Sequence, residues 1–339
     1  MAAGIVPSVA VIGCGYWGKN LVRVFHRRRA LRWICDSAPE RLEQIGRDYP
    51  GVRTSPSVDD ILADDGVRAV VIATPAPTHF AVAKQALAAG KDLLVEKPLA
   101  LSFDEGRWLV EQAAARQRIL MVGHVLQYHP AVVRLKQIVD AGDLGELYYL
   151  YSNRLNLGRA RREENILWSF APHDISVLLL LAGRLPTSVT AFGGNYLRRE
   201  VADVTVCTYA FDTPLLGHIF VSWLHPFKVQ RMVVVGSRKM AVFDDVAVDG
   251  KLCIYDKSIT WDQGTLVTRQ EAETRVPIPA DEPLDLECAH FLECVDQRTS
   301  PRTDGAEGLR VLRVLEASQR SLVERRTVTL ATSAVADYA

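Results

Sequence analysis

The pattern of apolar and polar positions changes once along this chain, near residue 145. Before that point short apolar runs alternate with amphipathic stretches: Val9 to Ile12, Val67 to Thr74, Asp92 to Glu96 and Ile119 to Val125 are the runs. They are near-continuous in Val, Ile and Leu, as in strands buried on both faces. The stretches between them predict helices over about Pro39–Asp48, Ser57–Ala63, Thr78–Ala89 and Ser102–Gln117. Ser102 followed by Glu105 is a capping box at a helix start. Strands alternating with helices in this way predict a parallel sheet covered on both sides.

Beyond residue 145 the strand-like runs are longer and follow one another: 146–156, 187–196, 201–211, 215–224, 230–243 and 251–261. Short Gly, Pro or Asp turns join several of them, which predicts antiparallel pairing. Helix-like segments at 129–139, 173–182, 285–296 and 305–324 are available to cover one face. In 215–224 both faces are apolar: Leu215, Ile219, Val221 and Trp223 on one, Leu216, Phe220 and Leu224 on the other. That predicts helices over one side and a second copy of the chain over the other, a homo-oligomer (dimer or tetramer) packed through an open sheet. The expected fold class is an α/β domain with a parallel sheet (1–125), then an α+β domain with a large, mostly antiparallel open sheet (126–330) whose C-terminal segment can pack back on the first.

The junction of the first run with its helix adds chemistry. Val9–Ile12 meets Gly13-Cys14-Gly15-Tyr16-Trp17-Gly18, a helix-like segment follows, and a second apolar run ends in Asp36. Gly13 permits a tight strand-to-helix turn, Gly15 lets backbone amides approach a pyrophosphate, and Gly18 lets the helix pack closely on the sheet. Asp36 stands where a carboxylate accepts hydrogen bonds from the adenosine ribose. This is the fingerprint of a Rossmann dinucleotide site, with Tyr16 and Trp17 in its turn. A carboxylate there repels a 2′-phosphate and predicts NAD, although Arg41 lies close enough to Asp36 to receive one.

Composition narrows the alternatives. The 339 residues suit two domains, and 48% apolar content excludes wholesale disorder. Lys plus Arg balances Asp plus Glu at 40 against 40, so no global field draws the chain to nucleic acid or an anionic membrane. The Arg27-Arg28-Arg29 run is expected at a solvated helix end. Six cysteines, at 14, 35, 207, 253, 288 and 294, form no C-x-x-C, and no histidines have zinc-ligand spacing. No metal is expected, and the thiols read as reduced, as in a cytoplasmic protein. Pro7 interrupts the short lead into the first strand, so no signal peptide is expected. The longest apolar run, Val177 to Ala182, is far short of a membrane span.

Two further motifs fall where the parallel sheet should open onto a cofactor. Thr74-Pro75-Ala76-Pro77-Thr78-His79 follows one strand and would lie along the nicotinamide half, with His79 starting the next helix. Glu96-Lys97-Pro98 follows the next strand. A lysine held there, its pKa lowered by burial and a nearby cation, can take a proton from a substrate hydroxyl; a surface turn lysine is the plain alternative.

GCGYWG, Asp36, ATPAPTH, EKP, a strand ending in MVGH and a later His-Asp together resemble the Gfo/Idh/MocA family (glucose–fructose oxidoreductase, inositol dehydrogenase and relatives) over about Ser8 to Leu330. The resemblance implies a Rossmann domain followed by an open sheet domain, an NAD(P)-dependent oxidoreductase acting on sugars or cyclitols, Lys97 as the catalytic lysine and His173 as the histidine of the second domain. It implies cofactor contacts from Thr74, Pro75, His79, Glu96 and Lys97, and an active site in a cleft beyond the parallel strands. Many members carry Asp four residues before the histidine, where this chain has Ser169. Lys97 and His173 then share the proton work, or Asp174 orients His173; Asp174 at a helix start is the alternative.

The stretch from Tyr151 to Ser176 resembles the branch that oxidises UDP-N-acetylglucosamine, or its uronic acid, at the 3-hydroxyl. The 3-keto product feeds an aminotransferase making 3-amino sugars for surface polysaccharide or lipid A. Arg154, Arg159, Arg161 and Arg162 suit a diphosphate, Asn156 and Asn165 suit sugar hydroxyls or an acetamido group, and Trp168 suits an apolar wall. A solvated charged loop is the alternative for the arginines. His124, Tyr128 and His129 follow the last parallel strand; Tyr128 is a candidate substrate contact, packing the alternative. Two other functions remain open: a ketoreductase acting on dTDP-deoxysugars, and a cofactor-binding regulator without turnover. Retention of Lys97 and His173 and the absence of a DNA-binding motif argue against the regulator.

Overall fold

The computed structural model describes residues 8–158 and 164–330. The sequence candidates Arg159, Arg161 and Arg162 lie outside the described residues. The chain divides into two compact units: the described residues up to Val125 with Asp281–Leu312, and Leu126–Ala280 with the described residues from Arg313 onward.

The first unit holds strands β1 (Val9–Ile12), β2 (Leu31–Cys35), β3 (Arg53–Ser55), β4 (Ala69–Ile72), β5 (Asp92–Glu96) and β6 (Leu120–Gly123). Every pairing is parallel and the order is β3-β2-β1-β4-β5-β6, the doubly wound arrangement of dinucleotide-binding sheets. Helices α1 (Gly18–Arg27), α2 (Pro39–Asp48), α3 (Val58–Leu62), α4 (His79–Ala88) and α5 (Phe103–Ala115) connect the strands. β1, β4, β5 and β6 are buried at every position, as their unbroken apolar runs require. Ser102 caps α5 by accepting a hydrogen bond from the Glu105 amide at 3.2 Å. The three-residue β3 has no apolar run to announce it.

In the second unit α6 (Pro130–Asp140) is followed by β7 (Leu147–Leu155) and α7 (Ile166–Ala182). Then come β8 (Ser188–Gly194), β9 (Val204–Ala210), β10 (Leu216–Ser222), β11 (Val229–Gly236), β12 (Met240–Asp244), β13 (Leu252–Asp262) and β14 (Thr265–Arg275). A short β15 (Val328–Thr329) pairs with β8. The sheet runs β14-β13-β12-β11-β7-β10-β9-β8-β15, antiparallel except for β7 beside β10. α7 packs on the face of β10 that carries Ile219 and Val221, both fully buried. On the opposite face Tyr149, Phe192, Val206 and Leu216 are exposed.

Two expectations are corrected and one strand is added to them. The run 230–243 is two strands, β11 and β12, turned at Ser237–Lys239. α7 begins at Ile166 rather than 173, with Pro172 inside it; Asn165 caps its start by accepting from the Trp168 amide at 3.1 Å. β14, exposed along its whole length, was not anticipated.

Helix α8 (Pro283–Gln297) and the start of α9 (Gly305–Glu324) belong to the first unit. Arg27 and Arg28, at the end of α1, are not merely solvated. Both bind Asp285 near the start of α8, and Arg23 and Arg27 bind Glu282 beside it. All six cysteines are buried free thiols. Among the described residues no helix is long and apolar enough to cross a membrane, and no cluster of His, Cys, Asp and Glu is arranged to hold a metal ion.

Candidate active site

In the first unit the glycine turn has the geometry its spacing implies. Gly13 has φ +92°, and a Cβ there would come within 2.7 Å of the Ala73 carbonyl and the Thr74 nitrogen. A Cβ on Gly18 would lie 1.8 Å from the Gly13 carbonyl oxygen. Gly15 faces open space, with no contact within 4 Å of a Cβ position. Tyr16 is 81% exposed, and no side chain caps the amides that start α1. The result is a run of backbone donors at a helix N-terminus with no side-chain cap, as a pyrophosphate cradle requires.

Asp36 ends β2 and is buried. It accepts from the Cys14 amide at 2.7 Å and the Ala38 amide at 2.9 Å, and Arg41 Nη1 lies 3.0 Å from both of its oxygens. Burial pushes its carboxyl up, but the two amides and Arg41 outweigh this and hold it below the ordinary range. An ionised acceptor thus stands at the tip of β2, where a ribose diol fits. The Cys14 thiol beside it is raised to about 12, first by burial and then by Asp36, and stays protonated.

At the end of β5, Glu96 accepts from the Trp17 indole N–H at 2.5 Å, joining this strand end to the glycine turn. Its other oxygen accepts from the Lys97 amide at 3.3 Å. Lys97 is partly exposed, and the peptide bond to Pro98 is cis. Burial raises the Glu96 carboxyl against the opposing pull of Trp17, Lys97 and His124. Behind it, on α8, Glu287 is fully buried and pushed well above the carboxylate range, by burial and then by the charge of Glu96. Sequence reasoning missed Glu287, because nothing near it in the chain marks it as polar core. His124 is buried against Glu307, its Nδ1 2.5 Å from the carboxylate.

Thr74 and Pro75 lie at the end of β4, and the Thr78 hydroxyl donates to Thr74 Oγ1 at 2.7 Å. His79 is 2% exposed, so its ring is packed inside the unit rather than facing a ligand. Nδ1 lies 2.8 Å from the Pro98 carbonyl oxygen and Nε2 2.9 Å from that of Thr74.

In the second unit His173 lies two turns into α7 and is partly exposed. Neighbouring Asp174 is buried, gripped by Arg154 Nε at 2.7 Å and by the Ser152 hydroxyl at 2.6 Å. With the Gln230 amide turned so that its oxygen faces Arg154 and its nitrogen faces Asp245, as these neighbours require, Arg154 Nη1 lies 3.0 Å from that oxygen and the nitrogen 3.1 Å from Asp245. The sequence offered Arg154 to a diphosphate and Asp174 to His173 or a helix start; the structure joins the two to each other. Asn165 spends its oxygen on the α7 cap and its nitrogen on Gln319 at 2.7 Å, while Trp168 Nε1 shares that Gln319 oxygen at 3.2 Å. Tyr128 is 3% exposed; Asn156 is partly exposed just past β7. Ser169 is buried on α7.

A doubly wound parallel sheet with this glycine cradle and an ionised carboxylate at the tip of β2 defines a dinucleotide-binding domain. Residues 8–124 match the oxidoreductase family with an NAD-binding Rossmann fold, and residues 132–242 match the Gfo/Idh/MocA C-terminal domain. The chain is 30% identical to UDP-N-acetylglucosamine 3-dehydrogenase of Acidithiobacillus ferrooxidans over 89% of its own length and 93% of that protein's. The crystal structure of that dehydrogenase superposes with a TM-score of 0.82 at 28% identity, covering 93% of this chain and 97% of the other. It is also 28% identical to scyllo-inositol 2-dehydrogenase (NAD(+)) of Bacillus subtilis, over 86% of this chain and 87% of that one. The chain therefore belongs to the Gfo/Idh/MocA family of NAD-dependent oxidoreductases.

Proposed function

We propose that this enzyme oxidises the 3-hydroxyl of a UDP-linked N-acetylhexosamine, UDP-N-acetylglucosamine or its uronic acid, to the 3-keto sugar, supplying an aminotransferase that makes 3-amino sugars for surface polysaccharide or lipid A. The observation that carries the reading is the end-to-end likeness to a UDP-N-acetylglucosamine 3-dehydrogenase across 89% of the chain.

Gly13, Gly15 and Gly18 with the first amides of α1 hold the pyrophosphate, and Asp36 holds the adenosine ribose. Tyr16, Trp17, Thr74, Pro75 and Glu96 border the rest of the cofactor. Bound NAD supplies the acceptor for the hydride that leaves C3. Lys97 takes the hydroxyl proton at Nζ as the C–H bond breaks, a general-base contribution of roughly 10²–10⁴-fold. His173 is the other residue assigned to proton transfer. Asn156 and Trp168 are assigned to the sugar side, Tyr128 is packed rather than facing the sugar, and Arg154 supports α7 through Asp174 instead of meeting the diphosphate directly. The exposed face of Tyr149, Phe192, Val206 and Leu216 is assigned to a second copy of the chain.

The test is a single-turnover assay with stoichiometric enzyme and NAD against a panel of nucleotide sugars. Reduced nicotinamide forming with UDP-N-acetylglucosamine or its uronic acid supports the reading. Turnover of a dTDP-3-keto-deoxysugar with reduced cofactor, and none of any UDP sugar, overturns it.

A further inference from the structure

The loops at the ends of three parallel strands are tied to one another in a closed triangle. The turn after β1 meets the end of β4 where Gly13 abuts Ala73 and Thr74 so closely that no Cβ fits. The end of β5 is tied back to the β1 turn by the Trp17–Glu96 hydrogen bond. The third side, between the ends of β4 and β5, is the His79 ring, set between the carbonyl oxygens of Thr74 and Pro98 at 2.9 and 2.8 Å. Carbonyl oxygens only accept, so the ring donates to one of them with a single ring proton and to both when each nitrogen carries one. At 2% exposure the ring has no face left for a ligand.

Pro98 follows Lys97 directly, so fixing its carbonyl fixes the backbone from which the Lys97 side chain extends. We infer that His79 is a positioning residue for Lys97: it staples the Lys97–Pro98 loop to the end of β4 and holds the lysine where it accepts the substrate proton, without touching the cofactor itself. The inference rests on the reading of Lys97 as the base. A buried staple one residue from a reacting side chain governs orientation, and small misplacements of such a group cost about a hundredfold in rate.

The test is a double-mutant cycle on the whole enzyme with NAD and its nucleotide sugar, using His79→Ala, Lys97→Ala and the pair. In His79→Ala, kcat is expected to fall about ten- to a hundredfold, while KM for the sugar and Kd for NAD stay within about twofold. In the Lys97→Ala background the same change is expected to cost less than about twofold more, because a residue acting through the lysine has nothing left to position. His79→Gln, which retains one side-chain donor, regains part of the loss and carries the cycle if the alanine variant does not fold. Losses that multiply in the double variant overturn the inference, as does a fall in NAD affinity that tracks kcat, which would make His79 a cofactor contact. Normal turnover by Lys97→Ala alone is a different failure: it removes the base assignment, and the staple's purpose with it.

Discussion

Arg154 holds Asp174 in a buried, two-pronged ion pair: Nε lies 2.7 Å from one carboxylate oxygen and Nη2 3.3 Å from the other. The arginine sits on β7 and the aspartate on α7, one residue after His173, so the pair locks the helix turn carrying the histidine to the sheet. Removing the arginine leaves the Asp174 charge buried with only the Ser152 hydroxyl, among the described residues, to compensate it. Arg154→Ala is therefore expected to lower stability by about 3–5 kcal/mol, read by denaturant unfolding. Unchanged stability with a raised KM for the nucleotide sugar would return Arg154 to the diphosphate.

We propose that Asp36 sets the preference for NAD. Its amide partners and Arg41 keep it ionised, and that contribution to stability is present above the ordinary Asp value and is lost as pH falls through the folded value. A hydrogen bond to a charged acceptor is worth about 1.5–3 kcal/mol, so Asp36→Ala is expected to weaken NAD binding by about tenfold or more. With the carboxylate gone, Arg41 is released to meet a 2′-phosphate, and the NAD-over-NADP preference narrows. Titration of both cofactors checks this; an unchanged NAD affinity contradicts it.

Glu287 gives the account its pH dependence. The unfolded chain ionises this carboxyl at the ordinary Glu value, whereas in the folded protein burial and Glu96 keep it protonated to higher pH. Its contribution is therefore a loss of stability that sets in above the unfolded value and grows until the folded value is reached. Glu287→Gln keeps the shape and abolishes the titration. The variant is expected to gain stability relative to wild type as pH is raised from about 5 to about 8, a window set by the ordinary Glu value of about 4.3. Parallel stability curves for the two proteins across that range would contradict it.

The open sheet face makes a prediction about assembly. Phe192 pairs with Val206 across β8 and β9, and Leu216 with Tyr149 across β10 and β7, all four on one exposed face. Replacing Leu216 or Phe192 with Glu is expected to convert an oligomer to monomers in light scattering, because burying an unpaired carboxylate costs several kcal/mol per copy. A wild-type protein that is already monomeric, or variants that assemble unchanged, would contradict the assignment of that face.

The parts legible in the sequence are those whose determinants are local. Gly13, Gly15, Gly18 and Asp36 lie within one strand–helix–strand unit, and Gly18 is required by its approach to the Gly13 carbonyl inside it. The alternation of apolar runs with helices gave the parallel sheet for the same reason. What escaped depends on distant partners or on signals that mislead. Pro172 reads as a helix stop, yet α7 runs through it. The turn Ser237–Lys239 has no Gly or Pro of its own, so β11 and β12 read as one apolar run. The hold of Arg28 on Asp285 spans most of the chain, as does the approach of Glu287 to Glu96, and no local pattern carries either. The chemistry of Arg154 and His79 is legible in the sequence; their burial against Asp174 and against the Thr74 and Pro98 carbonyls is not.

The most direct test of the central claim follows the hydrogen itself. UDP-N-acetylglucosamine and its uronic acid, each deuterated at C3, are mixed with stoichiometric enzyme and NAD for one turnover, and the reduced cofactor is weighed by mass spectrometry. The reduced nicotinamide is expected to carry the deuteron from at least one of the two sugars. Reduced cofactor without the label, or none formed from either sugar, would contradict oxidation at that carbon.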